Sequence, residues 1–414
     1  MNYWKVKLSL IFNYIIFAIL LNSVGVVVLQ VINDFGVTPE SASVLEAYKD
    51  LSIAIASFLI ASYIPRLGYK NAMLTALGIV IMASVLMASF GSFGMAQLLY
   101  ALVGISFAII KVSVYSTVSL ITESASDHAS FLSILEGFFM VGVLGGFWLF
   151  GSFIGYAAES ETITWLHTYW ILAAIGLFAF LLLFMTKLDE SAVVQSKEGA
   201  GKDFIEMISL IKYPLVLFFI FGAFLYVYIE QALNTWLPTF NFSVLQLPES
   251  ISVQIVSIFA GCLAAGRLLG GYIMKYINWF YVLQSSILIA ITLVLLVLPI
   301  TIGIEPGSIT GWADVPMAAY VLPAIGLFLA PIYPTLSSSI LSALPKNRQS
   351  GMTGLIVIFS ALGGTTGSII TGFLFGKLDG QTAFYFTLIP LILLFLLIIP
   401  YKRKRDSFDI ESIK

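Results

Sequence analysis

Charge is scarce in this chain, and so are cysteine and histidine. Only 10% of its 414 residues are Asp, Glu, Lys or Arg, against 59% hydrophobic. A water-soluble chain of this length hides apolar side chains in a core and shows a polar surface. Here too few polar residues exist to cover one, so lipid must be the solvent for much of the chain. The one cysteine, Cys262, excludes an intrachain disulfide. Lying in an apolar block, it reads as a small buried hydrophobe. The two histidines, His128 and His167, are far apart at helix starts, and no His/Cys set has metal-ligand spacing. A Walker loop and a nucleophile elbow are both missing, which argues against ATP-driven transport within this chain and against an enzyme. No catalytic residue, cofactor or metal is therefore assigned. No basic tract suggests nucleic acid, and the net charge of −2 says little about partners. Persistent period-two alternation is absent as well. That excludes a lipid-exposed β-barrel and leaves helices, which satisfy their own backbone hydrogen bonds.

What is there is a series of long apolar blocks. A spanning helix needs about 20 apolar residues. The polar and Gly/Pro punctuation predicts twelve, near 8–33, 44–64, 71–90, 94–122, 128–156, 167–186, 213–241, 250–275, 279–302, 315–343, 350–376 and 380–401. Lys5 and Lys7 precede the first block without a small-residue cleavage site after it, which predicts a first span rather than a removable signal. The longest hydrophilic stretch divides the blocks six and six. It predicts an N-terminal bundle over 1–187, a linker over 188–212, a C-terminal bundle over 213–401 and a tail over 402–414. With both termini in the cytoplasm, sixteen of the twenty Lys and Arg residues fall in inside segments, and Lys377 is the clear exception. The expected place is a plasma membrane, the bacterial inner membrane, crossed many times by a monomer. The Lys402–Arg405 cluster reads as an anchor on anionic head groups.

Six plus six suggests duplication. Val143-Leu144-Gly145-Gly146 in the fifth block lines up with Ala361-Leu362-Gly363-Gly364 in the eleventh, and Gly104–Thr122 in the fourth lies on Gly326–Leu344 in the tenth. The second alignment sets Lys111 opposite Tyr333. Repeats of this kind place a substrate site near mid-membrane, where the halves meet.

Among the ionisable residues inside predicted spans, Asp50, Lys111, Glu136, Glu230 and Arg267 stand out. A charge at mid-bilayer costs at least about 2.5–3.5 kcal/mol, so each needs a partner or a wet cavity. Lys111, halfway along its block, cannot readily reach an interface and predicts a cavity-lining cation. Glu136, about two turns into the next block, is expected within reach of Lys111, as a pair that protonation or a solute can break. Glu230 and Asn234 are four apart on one stripe, with Trp236 close by, a set suited to a sugar's hydroxyls and C–H face. Asp50 is either a proton carrier or the partner of Lys49. Arg267, nearer the cytoplasmic end of its helix, predicts a structural or gating ion pair.

In order along the chain, these landmarks resemble the major facilitator superfamily, and within it the fucose permease-like branch of sugar:proton symporters. Ala61-Ser62-Tyr63-Ile64-Pro65-Arg66-Leu67-Gly68-Tyr69-Lys70 stands where the superfamily has its loop-2/3 signature, with Pro65 in place of the acid and Arg66, Gly68 and Lys70 kept. Gly266-Arg267-Leu268-Leu269-Gly270, Tyr226 with Glu230 and Trp236-Leu237, and Tyr333-Pro334-Thr335-Leu336-Ser337 carry the rest. The resemblance implies an all-α fold of two pseudo-symmetric six-helix halves, with Arg66, Lys70 and Arg267 in gating or structural roles. It departs from the branch at Asn22-Ser23-Val24-Gly25, where the first-helix acid has no counterpart. It departs again at Lys111, which stands at or beside the branch's fourth-helix acid.

The combined expectation is a secondary transporter of a small polar solute, a sugar or its derivative, by proton-coupled symport. Lys111, Tyr115, Glu136, Glu230, Asn234, Trp236 and Tyr333 are the candidate substrate contacts, and Glu136, Glu230 or Asp50 the proton carriers. Lys111 in place of an acid also suits an anionic solute such as a sugar acid. The rivals are a drug or metabolite exporter of the same fold and, from another class, a non-transporting membrane receptor.

Overall fold

A computed structural model describes residues 4–60, 64–122, 125–157, 164–188, 190, 207–301, 309 and 311–407, and none of these described residues is in a strand. The first apolar block forms α1 (Trp4–Asn22) and α2 (Val24–Phe35). They break at Ser23, whose hydroxyl turns back to the Leu20 carbonyl at 3.0 Å and shares a 3.1 Å hydrogen bond with the Tyr100 hydroxyl. Then come α3 (Pro39–Ala42), α4 (Val44–Ile60), α5 (Ile64–Leu67), α6 (Tyr69–Phe90), α7 (Phe93–Ile121), α8 (Ala125–Ala157) and α9 (Thr168–Phe184). The second half holds α10 (Pro214–Ser243), α11 (Glu249–Gln254), α12 (Val256–Ile273), α13 (Trp279–Val297), α14 (Ala318–Leu329), α15 (Ile332–Ala343), α16 (Lys346–Lys377), α17 (Gly380–Tyr385) and α18 (Leu388–Asp406).

Among the described residues, eleven stretches are long and apolar enough to cross a membrane, and α2 is a shorter apolar helix that continues the first of them. The twelfth crossing is α4, only 17 residues long, whose outer turns carry Glu46, Lys49 and Asp50. The twelve blocks of the sequence are thus all helical. Large apolar side chains such as Leu177, Leu181, Phe184, Leu296 and Ile389 are exposed on the outside, which only a lipid solvent makes favourable.

Helix ends follow local chemistry. Ser92, Asn278 and Asp379 cap α7, α13 and α17 by accepting the amides of Met95 (3.2 Å), Phe280 (3.0 Å) and Thr382 (2.7 Å). Gly68 joins α5 to α6 with φ 86°, a conformation that favours glycine. Pro238 sits inside α10, fully within the core of its unit. Spanning helices tolerate such a proline because neighbouring groups compensate the freed backbone.

Contacts divide the chain into two compact units. One is Met1–Val37 with Tyr48–Ala200, the other Thr38–Ala47 with Gly201–Lys414. The ten residues Thr38–Ala47 precede most of the first bundle in sequence, yet they belong with the second unit. The reason lies in their hydrogen bonds: Ser368 donates its hydroxyl to the Ser43 carbonyl at 3.2 Å, and Lys377 lies 3.6 Å from Glu40. Of the linker 188–212, only Leu188, Glu190 and Met207–Lys212 are among the described residues.

Within the first unit α8 packs along α1, and within the second α16 packs along α10. Both approaches are made by glycine. A Cβ at Gly142 would stand 2.8 Å from the Ile15 carbonyl oxygen and equally close to the Ala18 methyl, while one at Gly363 would collide with the Phe224 carbonyl.

Candidate functional site

Each unit carries its own polar cluster, and the two are built alike. In the first, Phe107, Lys111 and Tyr115 follow one another at four-residue spacing and so form one stripe of α7. Glu136 comes from α8 and accepts the Tyr115 hydroxyl at 2.9 Å. On α1, Tyr14 sets its ring edge-on to Phe139 at 5.9 Å. Lys111 is exposed, with its ammonium 5.9 Å from the centre of the Phe107 ring. Among the described residues no carboxylate lies within 4.0 Å of it. The expected Lys111–Glu136 pair is therefore not formed. Glu136 satisfies one oxygen with a neutral hydroxyl instead, which avoids desolvating two charges together.

In the second unit Tyr226, Glu230 and Asn234 form the equivalent stripe of α10. Glu230 Oε1 accepts the Tyr226 hydroxyl at 3.2 Å, and the Arg267 guanidinium of α12 stands 3.9 Å from the same oxygen. That ion pair is long, and the Arg267 side chain is 49% exposed. Above the pair, Tyr226 stacks on Tyr333 of α15 at 5.4 Å and 25°, and Tyr333 shares a 3.0 Å hydrogen bond with Ser360 of α16. Asn234 is half-buried on the same stripe. Sequence reasoning put Glu230 and Tyr333 among the substrate contacts and Arg267 in a separate gating or structural role; the fold joins all three. It left out Ser360, a serine among many, which nothing but the tertiary contact singles out.

Trp236 needs a correction. Its indole is fully buried, stacks on Phe375 at 5.0 Å, and donates its N–H to the Ser368 carbonyl at 3.0 Å. Both its apolar face and its donor are used by helix packing, so it offers a solute nothing. Asp50 lies 3.5 Å from Lys49, the two side chains 12% and 7% exposed. Lys49 also reaches the Leu21 carbonyl at 3.4 Å. Lys70 is held at a helix end. Its ammonium donates to the carbonyls of Phe184 (3.0 Å) and Thr186 (2.6 Å), closing the C-terminal end of α9, where a cation is favoured. Its own amide donates to Glu190 at 2.7 Å. Arg66 lies in α5, but its side chain is outside the described residues.

One buried acid was missed. Glu46, in the first turn of α4, is fully buried; Gln231 donates to one of its oxygens and Thr235 to the other, the latter at 3.0 Å. Gln231 and Thr235 are themselves four apart on α10, one position around from the Glu230–Asn234 stripe. Glu46 stands near the start of its predicted block and was not singled out in the sequence. The available signal was its three-residue spacing from Lys49.

Outside the spans, two carboxylates are held below the usual carboxylate range. The Asp379 carboxyl is lowered chiefly by the Thr382 hydroxyl. That of Glu40 is lowered chiefly by its own backbone amide, with smaller help from Thr38 and Lys377.

Among known proteins, curated glucose/galactose transporters of Brucella abortus, from biovar 1 strain 9-941 and from strain 2308, are each 27% identical to this chain over 206 residues. Those matches take in 49% of this chain and 43% of each relative, so the chain spans less than half the length of the curated relatives it matches. Three solved structures share the fold over nearly their whole length. A bacterial homologue of the human lysosomal transporter Spinster, inward-facing and occupied, superimposes with TM-score 0.76 at 14% identity, over 96% of both chains. The nucleoside transporter NupG gives 0.72 at 16%, over 97% of this chain and 99% of that one. The transporter FucP in its outward conformation gives 0.59 at 19%, over 98% and 99%. The family model described as "Major Facilitator Superfamily" matches residues 10–322. With twelve apolar helices and that match over most of its length, this chain is a multi-pass integral membrane protein of the major facilitator superfamily.

Proposed function

We propose that this protein is a proton-coupled symporter of a small polar solute, most consistently a sugar or sugar derivative, working by alternating access. The observation that carries the reading is the Tyr226–Glu230–Arg267–Tyr333 cluster. It offers a carboxylate and a guanidinium for hydroxyl groups, beside stacked aromatic rings that suit a sugar's C–H face. The carboxylate is bistable. Its contact with Arg267 at 3.9 Å is long enough for a solute hydroxyl to replace, and protonation removes the attraction altogether. The Asp50 carboxylate lies 3.5 Å from Lys49, and we assign the coupling to Glu230 or Glu136. The Brucella abortus relatives named as glucose/galactose transporters support the sugar class, while the NupG likeness shows that the same fold serves a nucleoside transporter.

A second reading rests on Lys111. An exposed ammonium beside an aromatic ring, with no carboxylate within 4.0 Å among the described residues, is placed to receive a carboxylate, which favours a sugar acid over a neutral sugar. Proteoliposomes holding a pH-sensitive dye separate the two. Lumenal acidification on adding a neutral hexose supports the first reading, and acidification with the hexuronate alone supports the second. Acidification with neither, but with a nucleoside or peptide, overturns the sugar class and keeps symport. Silence across the whole panel, in vesicles shown to hold folded protein, overturns proton-coupled symport.

A further inference from the structure

Near the inner end of the second unit lies a cavity of about 370 Å³ that the polar clusters leave unexplained. The volume is within the range of about 300–1,000 Å³ in which ligand pockets fall. Two guanidinium groups face it, Arg267 from α12 and Arg405 from the end of α18, and the hydroxyls of Thr335, Ser338 and Ser342 line one wall. Trp279, at the start of α13, closes another.

The charge balance of this cavity is positive and incompletely met. Among the described residues, Arg267 lies 3.9 Å from Glu230 and Arg405 3.9 Å from Asp406. Neither distance allows the short charge-assisted hydrogen bonds that a guanidinium makes with a well-placed anion. The Nε of Arg405 is moreover buried and has no acceptor among the described residues. A buried donor on a cation is costly to leave unmet. Donors from two arginines and the Ser338 hydroxyl match the oxygens of a phosphate, while the Thr335 and Ser342 hydroxyls already donate to the carbonyls of Pro331 and Ser339.

The rim supplies the rest of the chemistry. Tyr272, Tyr276 and Tyr281 are exposed around the same end of the bundle, and the Lys402 ammonium lies 4.4 Å from the centre of the Phe280 ring. Aromatic rings and lysines at a helix end mark the level of lipid head groups. Apolar Leu268 and Leu269 are exposed on α12 beside Arg267, a surface along which acyl chains could run.

We propose that this cavity binds a phosphate-bearing anion, supplied by the head group of an anionic phospholipid of the cytoplasmic leaflet or by free phosphate. The site is specific in a way that a diffuse basic anchor is not: Arg405 lines it, whereas Arg403 of the same run does not. Gly271 also lines it, and a Cβ there would meet nothing within 4 Å, so Gly271→Leu is a substitution that starts into open space at the mouth.

The test uses the purified full chain in neutral detergent, with phosphatidylglycerol, phosphatidylcholine or inorganic phosphate added in turn. Thermal unfolding and native mass spectrometry are the readouts. Phosphatidylglycerol is expected to be retained at one per chain and to raise the unfolding midpoint, and phosphatidylcholine is not. Gly271→Leu and Arg405→Gln should each weaken retention roughly tenfold, the loss expected for one hydrogen bond to a charged group, while Arg403→Gln leaves it unchanged. Stabilisation by inorganic phosphate alone, lost in the same variants, keeps the site and assigns it to a soluble anion. Equal responses to both lipids, or equal losses in Arg403→Gln and Arg405→Gln, overturn the proposal. Should Arg405→Gln fail to fold, Gly271→Leu decides alone.

Discussion

At Glu230 a hydroxyl and a guanidinium share one carboxylate oxygen. Replacing the acid by glutamine keeps an acceptor for Tyr226 and removes the titrating charge. Glu230→Gln is therefore expected to abolish solute accumulation driven by a pH gradient while sparing counterflow between solute pools, measured with labelled solute in vesicles. Accumulation with unchanged pH dependence would move the coupling to Glu136. Asp379 allows a test of stability. Its carboxyl is lowered by the Thr382 hydroxyl, so the stability it contributes is complete above the ordinary carboxylate value of about 4 and is lost as the pH falls through its lower folded value. Asp379→Ala should cost about 1 kcal/mol near neutrality through the lost cap of α17, and less in acid, read from thermal unfolding at several pH values. At this scale the sequence was partly legible. Charges inside apolar blocks announced Lys111, Glu136, Glu230 and Arg267, because such charges are too costly to be incidental. Which of them meet was not legible: pairing depends on how helices rotate about their axes, and the length of a block does not encode rotation. Trp236 illustrates this, since it neighbours the Glu230–Asn234 stripe in sequence yet faces Phe375 and Ser368.

Helices approach where side chains are smallest, and α8 offers a controlled comparison. A methyl at Gly142 would press on Ile15 and Ala18 at 2.8 Å, whereas one at Gly145 would meet nothing within 4 Å. Gly142→Ala is expected to destabilise the protein by about 1–3 kcal/mol, and Gly145→Ala to leave it within about 0.5 kcal/mol. Unfolding midpoints in one detergent check both, and equal effects would show that α8 does not approach α1 as closely as described. The internal repeat read from glycine spacing has a physical counterpart at this level. Gly104 of α7 abuts the Lys49 carbonyl of α4, and Gly326 of α14 abuts the Phe259 carbonyl of α12. Those are matching crossings in the two halves, the fourth on the second and the tenth on the eighth. The alignment of Gly104 with Gly326 thus has a counterpart in backbone contact, whereas that of Gly145 with Gly363 does not.

Across the whole molecule, hydrophobic blocks and basic loops settle the number of crossings, because both are counted along the chain and need no tertiary information. The grouping of Thr38–Ala47 with the second unit could not be counted in that way. A ten-residue polar segment joins whichever surface can meet its hydrogen bonds, and here Glu46 and Ser43 find partners on α10 and α16. Membrane orientation is open to direct measurement, since Cys262 is the one cysteine. In a Cys262→Ser background, cysteines placed at Ser407 and at Trp312 should react with an impermeant thiol reagent from opposite sides. Ser407 should react from the cytoplasm and Trp312 from outside. Labelling of both from one side would contradict the three crossings between them and both termini inside.

Pro238 has a consequence for how such a transporter would be dissected. A proline carries no amide hydrogen, so the main-chain carbonyl four residues earlier, that of Asn234, loses the donor an unbroken helix would give it. Residue 234 thus holds two separate acceptors, one on its side chain and one on its backbone. Alanine scanning deletes the first and is blind to the second, so a mild phenotype for Asn234→Ala would understate what this position contributes. Pro238→Ala, which restores the missing donor, is the substitution that silences the backbone group.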